Sequence, residues 1–113
     1  MSLIPLSSLS PFHNSKLFFS KKELTKILSC YSIGVSKGNW KDYSINFKKN
    51  KATFFIYKHS NSSPEFSVTK YKISKQSKPF FKLSLGYKNR KKFENIEDLL
   101  AILLRDNFKI ISN

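Results

Sequence analysis

The chain has 113 residues, 40% of them hydrophobic and 15% aromatic, with 21 Lys and Arg against seven Asp and Glu for a formal net charge of +14. Length and apolar content fit one folded domain around a single two-layer core, and they exclude two domains or a wholly disordered chain. No apolar run approaches the roughly 20 residues that span a bilayer, and the apolar start lacks the positive flank of a secretory signal, so a cytoplasmic protein is expected.

Residues 1–17 carry Pro5, Pro11 and several serines with no period, the pattern of a flexible tail. A single domain is expected over 18–113. Its first element starts at Ser20, with Glu23 three residues on, the pairing of a capping box in which each side chain satisfies a free backbone donor. Leu24, Ile27, Leu28, Tyr31 and Val35 then recur at helical spacing, and Gly34 or Gly38 can end the helix. Cys30, the sole cysteine, lies beside that stripe and reads as a small hydrophobe.

After Trp40 the period falls to two. Tyr43, Ile45 and Phe47 mark a half-buried strand, residues 48–51 a turn, and 52–57 a strand apolar on both faces, as expected away from a sheet edge. Residues 65–73 form a third strand, and Phe81, Leu83 and Leu85 alternate in a fourth. "YKNRKKF", residues 87–93, looks like an exposed basic connection. Asn95 can cap a final helix with Glu97 and Asp98 in its first turn, where the helix dipole favours acids. The apolar residues of that helix, Ile96 to Leu104, cover about twice the usual core stripe. The expected fold is therefore α+β: an N-terminal helix, a four-stranded antiparallel meander and a C-terminal helix in a two-layer sandwich.

"FSKKELTKILSCYSIGVSKGNWKDYSINF", the Phe-rich strand and the Leu-rich final helix together resemble the domain-of-unknown-function family 2794, small proteobacterial proteins, over about residues 18–112. The most specific part is Glu-Leu-x-x-Ile-Leu-x-x-Tyr followed by Gly-x-Trp-basic-Asp-Tyr, here Gly38 to Tyr43. The family usually has Gly after the helix tyrosine, where this chain has Ser32, so the helix is expected to run slightly further. The resemblance implies an intracellular bacterial domain and supplies no activity.

Catalytic chemistry finds little support. Glu23, Glu94, Glu97 and Asp98 serve helix starts, Asp106 lies at a helix end, and Asp42 and Glu65 begin different strands, so no general acid–base pair is apparent. His13 and His59 lack metal-ligand spacing, and Gly34, Gly38 and Gly86 are scattered singly, without a phosphate-binding fingerprint. No enzyme, metal or cofactor is expected.

The charge remains. Residues 48–92 hold thirteen cations against Glu65 alone, +12 of the +14. Such a field attracts polyanions, although a chain with nineteen lysines and abundant Asn, Ile and Phe also carries the mark of an AT-rich genome. Lys48, Lys49 and Lys51 sit at the first hairpin tip; Lys70 and Lys72 flank Tyr71; Lys82 is in the fourth strand; Lys88, Arg90, Lys91 and Lys92 crowd one segment. If one sheet face is open, Phe55, Tyr57 and Tyr71 could stack bases among these cations; otherwise they belong to the core. The expected partner is RNA or another polyanion. The alternative is a protein partner or a second copy on the apolar stretch 96–111. Trp40 is expected to close one end of the core, with Asp42 accepting bonds from backbone donors.

Overall fold

A computed structural model describes residues 16–59, 63–86 and 88–108. Helix α1 spans Lys21–Ser36, and strands β1 (Asp42–Phe47), β2 (Lys51–Tyr57), β3 (Phe66–Tyr71), β4 (Phe80–Leu85) and β5 (Lys88–Phe93) precede helix α2 (Ile96–Phe108). The strands pair in chain order as one antiparallel meander. The architecture is α+β as expected, but with five strands instead of four.

The fifth strand is formed by the basic segment whose sequence predicts an exposed connection. Phe93 pairs with Phe81 and extends the core face, while a register shift between Leu83 and Leu85 absorbs an extra residue as a bulge. An edge strand needs hydrogen-bond partners on one side only, and lysines on such an edge discourage pairing with another chain. Gly86, at φ 60°, opens the two-residue connection from β4.

Helix α1 begins as its sequence dictates. Ser20 Oγ accepts from the Glu23 amide at 3.1 Å, and Glu23 Oε1 accepts from the Ser20 amide at 2.8 Å. It runs through Gly34 to Ser36, and Gly38, just past the Lys37 cap at φ 79°, turns the chain out of the helix. The Gly38 amide donates to Val35 O and the Asn39 amide to Gly34 O, both at 2.9 Å, which satisfies the last carbonyls in a Schellman arrangement. Its buried face is Ile27, Cys30 and Gly34, with Leu24, Leu28 and Tyr31 partly buried; Val35, expected inside, is exposed because the stripe drifts off it in the final turn. Burial pushes the Cys30 thiol up to about 11, so it stays protonated and unreactive near neutral pH. Asn95 Oδ1 caps α2 by accepting from the Asp98 amide at 2.9 Å.

Both helices lie on one sheet face. Ala52, Phe54 and Ile56 of β2, Phe66 and Val68 of β3, and Phe81 and Leu83 of β4 meet Ile27 and Cys30 from α1 and Ile96, Leu99, Leu100 and Leu103 from α2. Trp40 is 2% exposed and closes one end, parallel to Tyr31 at 6.2 Å and edge-on to Phe66 at 5.9 Å. Asp42 Oδ1 accepts from the Tyr43 amide at 2.8 Å. Lys26 of α1 bonds Glu97 of α2 across the helix pair and thereby holds the Glu97 carboxyl below the ordinary carboxylate range. No helix among the described residues is long and apolar enough to cross a membrane. The predicted tail lies outside the described residues up to 15; Lys16 and Leu17 lie inside them, and the Leu17 amide donates to Lys48 O at 2.8 Å.

Candidate nucleic-acid interface

Strand alternation decides which charges and rings share a surface. With Ala52, Phe54 and Ile56 turned to the helices, Lys51, Thr53, Phe55 and Tyr57 must take the opposite face. Register adds Ser44 and Asn46 from β1, Ser67, Thr69 and Tyr71 from β3, Phe80, Lys82 and Ser84 from β4, and Lys92 from β5. Phe55, Tyr57 and Tyr71 are thus on the open face, each half-buried, and not in the core. No described helix covers them.

At one end of this face the side chains form a ladder. Tyr71 and Phe80 are direct cross-strand partners with rings nearly parallel, 13° apart, and centroids at 5.2 Å. Lys82 Nζ stands 5.4 Å from the Tyr71 centroid and Lys92 Nζ 4.5 Å from that of Phe80. Cation–π attraction of this kind contributes about 0.5–1 kcal/mol at exposed sites and holds the ammonium groups beside the rings. A concavity of about 530 Å³ adjoins the ladder, lined by Lys78, Pro79, Phe80, Lys92, Glu94 and Asn95. Lys51, the register partner of Tyr71, adds a cation on the other side.

Phe55 and Tyr57 lie apart from this group. Six strand steps of about 3.3 Å separate Lys51 from Tyr57, roughly 20 Å. There, Tyr57 Oη and Ser44 Oγ share a hydrogen bond of 3.0 Å. Between the two ends Thr69 Oγ1 donates to Thr53 Oγ1 at 3.3 Å, both side chains buried in the floor of the face.

Lys70 does not belong to the surface. It shares the helix-facing side with Phe66 and Val68, is 8% exposed, and donates to Glu23 Oε1 at 2.8 Å and to Phe18 O at 3.0 Å. Neighbours in a strand face opposite ways, so Lys70 and Tyr71 cannot serve one surface; the charge expected to grip phosphate instead ties α1 to the sheet. Lys48 and Lys49 are exposed at the β1–β2 turn, Lys72 is half-buried just beyond β3, and Lys91 is exposed on the edge strand that also contains Lys88 and Arg90. Phe80 was missed from sequence, although its signal was present. Of two adjacent phenylalanines only Phe81 keeps step with Leu83 and Leu85, which sends Phe80 to the lysine side.

The sequence pattern of one family, described as a protein of unknown function (DUF2794), matches residues 17–99. The chain belongs to the DUF2794 family. The match takes in α1, all five strands and the start of α2, and stops short of the 18–112 expected from resemblance. The ladder and the Lys70–Glu23 pair therefore lie within the DUF2794 region. No curated protein and no solved structure matches the chain. Among the described residues of this DUF2794 domain, no group of three His, Cys, Asp or Glu side chains could hold a metal ion.

Proposed function

We propose that this chain is a small non-catalytic module that binds single-stranded nucleic acid, with RNA favoured, on the open face of its sheet. The observation that carries this reading is the Lys82–Tyr71–Phe80–Lys92 ladder on a face no described helix covers. A base that slides onto either ring replaces one π contact with another, and the displaced ammonium is already within reach of that nucleotide's phosphate. Stacking contributes about 1–3 kcal/mol per base and tolerates any sequence, while lysines neutralise the backbone. Sheet faces bearing aromatics recur as RNA-stacking surfaces. Duplex reading through a groove is disfavoured, because α1 and α2 both turn their apolar sides to the core and offer no recognition helix.

The alternative, a protein contact on 96–111, is weaker. Ile96, Leu99, Leu100 and Leu103 are buried in the domain's own core and Ile102 and Leu104 are half-buried, while 109–111 lie outside the described residues.

Anisotropy of labelled single-stranded RNA, single-stranded DNA and duplex DNA of equal length, between about 50 and 200 mM salt, tests the proposal. Single strands should bind more tightly than duplex, with log affinity falling by about 0.7 per neutralised phosphate for each tenfold rise in salt. Lys82→Gln/Lys92→Gln should flatten that slope by about 1 to 2 units. Duplex bound as tightly as single strands, or a slope indifferent to the double variant, would contradict it.

A further inference from the structure

Beyond the ladder, at the same end of the sheet, three chain segments enclose a cleft of about 350 Å³. Lys16 reaches it from the lead-in to α1, Lys49 and Asn50 from the β1–β2 turn, and Lys72, Ser74 and Lys75 from the segment after β3. Backbone hydrogen bonds hold the segments together: Leu17 N–H to Lys48 O at 2.8 Å and Lys72 N–H to Asn50 O at 3.1 Å. The 74–77 turn is closed by its own serines, with the Ser74 amide donating to Ser77 Oγ at 2.9 Å and that hydroxyl donating to Ser74 O at 2.8 Å. Four cations therefore line one concave space, and no carboxylate lines it with them. None of the four enters an ion pair among the described residues. Like charges gathered in this way repel one another, and an anion in the cleft relieves that repulsion.

We propose that this cleft binds a compact polyphosphate group, the phosphorylated 5′ end of a strand held on the ladder being its source. Charge supports a cluster over a single backbone phosphate: a phosphodiester carries one negative charge, whereas a terminal di- or triphosphate carries three or four, matching the four lysines. Position supports the strand end. Asn50 and Lys72 lie just past Lys51 and Tyr71, where the paired strands end. The cleft thus sits at the end of the sheet that carries the ladder, and a strand leaving the ladder over that end reaches it. Ile73, 75% exposed at the cleft, offers an apolar contact to the terminal sugar. The strand-end source rests on the proposed function; the cleft's affinity for polyphosphate does not.

The test is calorimetric titration of the full chain with inorganic triphosphate, followed by competition between RNA oligonucleotides bearing a 5′ triphosphate or a 5′ hydroxyl. Triphosphate should bind saturably at one site. Lys49→Gln/Lys75→Gln should weaken it by roughly a hundredfold, about tenfold for each charged contact removed, while Lys82→Gln/Lys92→Gln leaves it unchanged. The 5′-triphosphate strand should outcompete its hydroxyl counterpart on wild type and lose that advantage on Lys49→Gln/Lys75→Gln. No saturable triphosphate binding, or an equal loss in both double variants, overturns the cleft assignment. Triphosphate binding with no discrimination between strand ends overturns the strand-end source and leaves free polyphosphate as the ligand. Triphosphate binding without any oligonucleotide binding upholds the cleft and refutes the ladder.

Discussion

Lys70→Met is expected to destabilise the domain by about 1–3 kcal/mol in urea denaturation, the cost of leaving one partner of a part-buried, charge-assisted hydrogen bond unmade. The lysine and Glu23 side chains are 10% and 17% exposed, and their contact at 2.8 Å joins the middle strand of the sheet to the first turn of α1. Glu23 also accepts from the Ser20 amide as half of the capping box. Without Lys70 the part-buried carboxylate keeps that one bond, and Phe18 O loses its lysine donor. Glu23→Gln alone should cost a comparable amount, since it leaves a buried ammonium without a counter-charge, although Gln can still complete the cap. The double variant should be more stable than the sum of the two losses predicts, because neither charge remains to be stranded. Strict additivity, or losses below about 1 kcal/mol, would show a solvated pair without structural weight.

Gly34→Ala should lower stability although it lies within a helix. Inside an exposed helix the same change stabilises by about 1 kcal/mol, because Ala restricts the unfolded chain and suits the helix. Here a Cβ would stand 2.5 Å from Trp40 Cδ2 and closer still to Cε3. The indole is 2% exposed, held by Tyr31 on one side and Phe66 on another, so it has nowhere to retreat. Overpacking a tight core costs about 1–3 kcal/mol and occasionally more, which outweighs the propensity gain. Thermal melting and the near-ultraviolet signal of this single tryptophan should both shift. Gly34→Ala/Trp40→Phe should recover part of the loss by clearing the space. A higher melting temperature for Gly34→Ala would show that helix and indole are not in contact.

Local chemistry made much of this fold legible. Ser20, Glu23, Asn95 and Gly38 declare helix ends through hydrogen bonds made within a few residues, and period two exposes β1 to β4. What escaped depends on partners distant in sequence. In β5, Lys88, Arg90, Lys91 and Lys92 show no apolar alternation, because an edge strand contributes little to the core beyond Phe93. Lys70 is one of many lysines until Glu23, 47 positions away, is folded against it. The candidate surface was half legible. Composition shows its charge and Tyr71 one of its rings, but the sequence expectation places Lys70 on the surface, where the fold buries it, and leaves out Phe80, the partner of Tyr71. Strand parity could have settled both. The cleft could not be anticipated, since Lys16, Lys49, Lys72 and Lys75 meet only when the lead-in and two turns come together at the sheet's end.

The most direct test of the central claim is single-stranded RNA affinity for Tyr71→Leu/Phe80→Leu, measured by anisotropy alongside thermal melts. Leucine keeps the bulk and apolar character of the open face and removes the flat π surfaces. If bases stack on this pair, affinity should fall by roughly ten- to a hundredfold, reflecting about 1–3 kcal/mol per stacked base. Every lysine is retained and the domain stays folded, its melting temperature lowered only as the loss of one cross-strand ring pair and two cation–π contacts requires. An unchanged affinity in a folded variant would mean that the rings take no part and that the lysines attract polyanions only as a diffuse field.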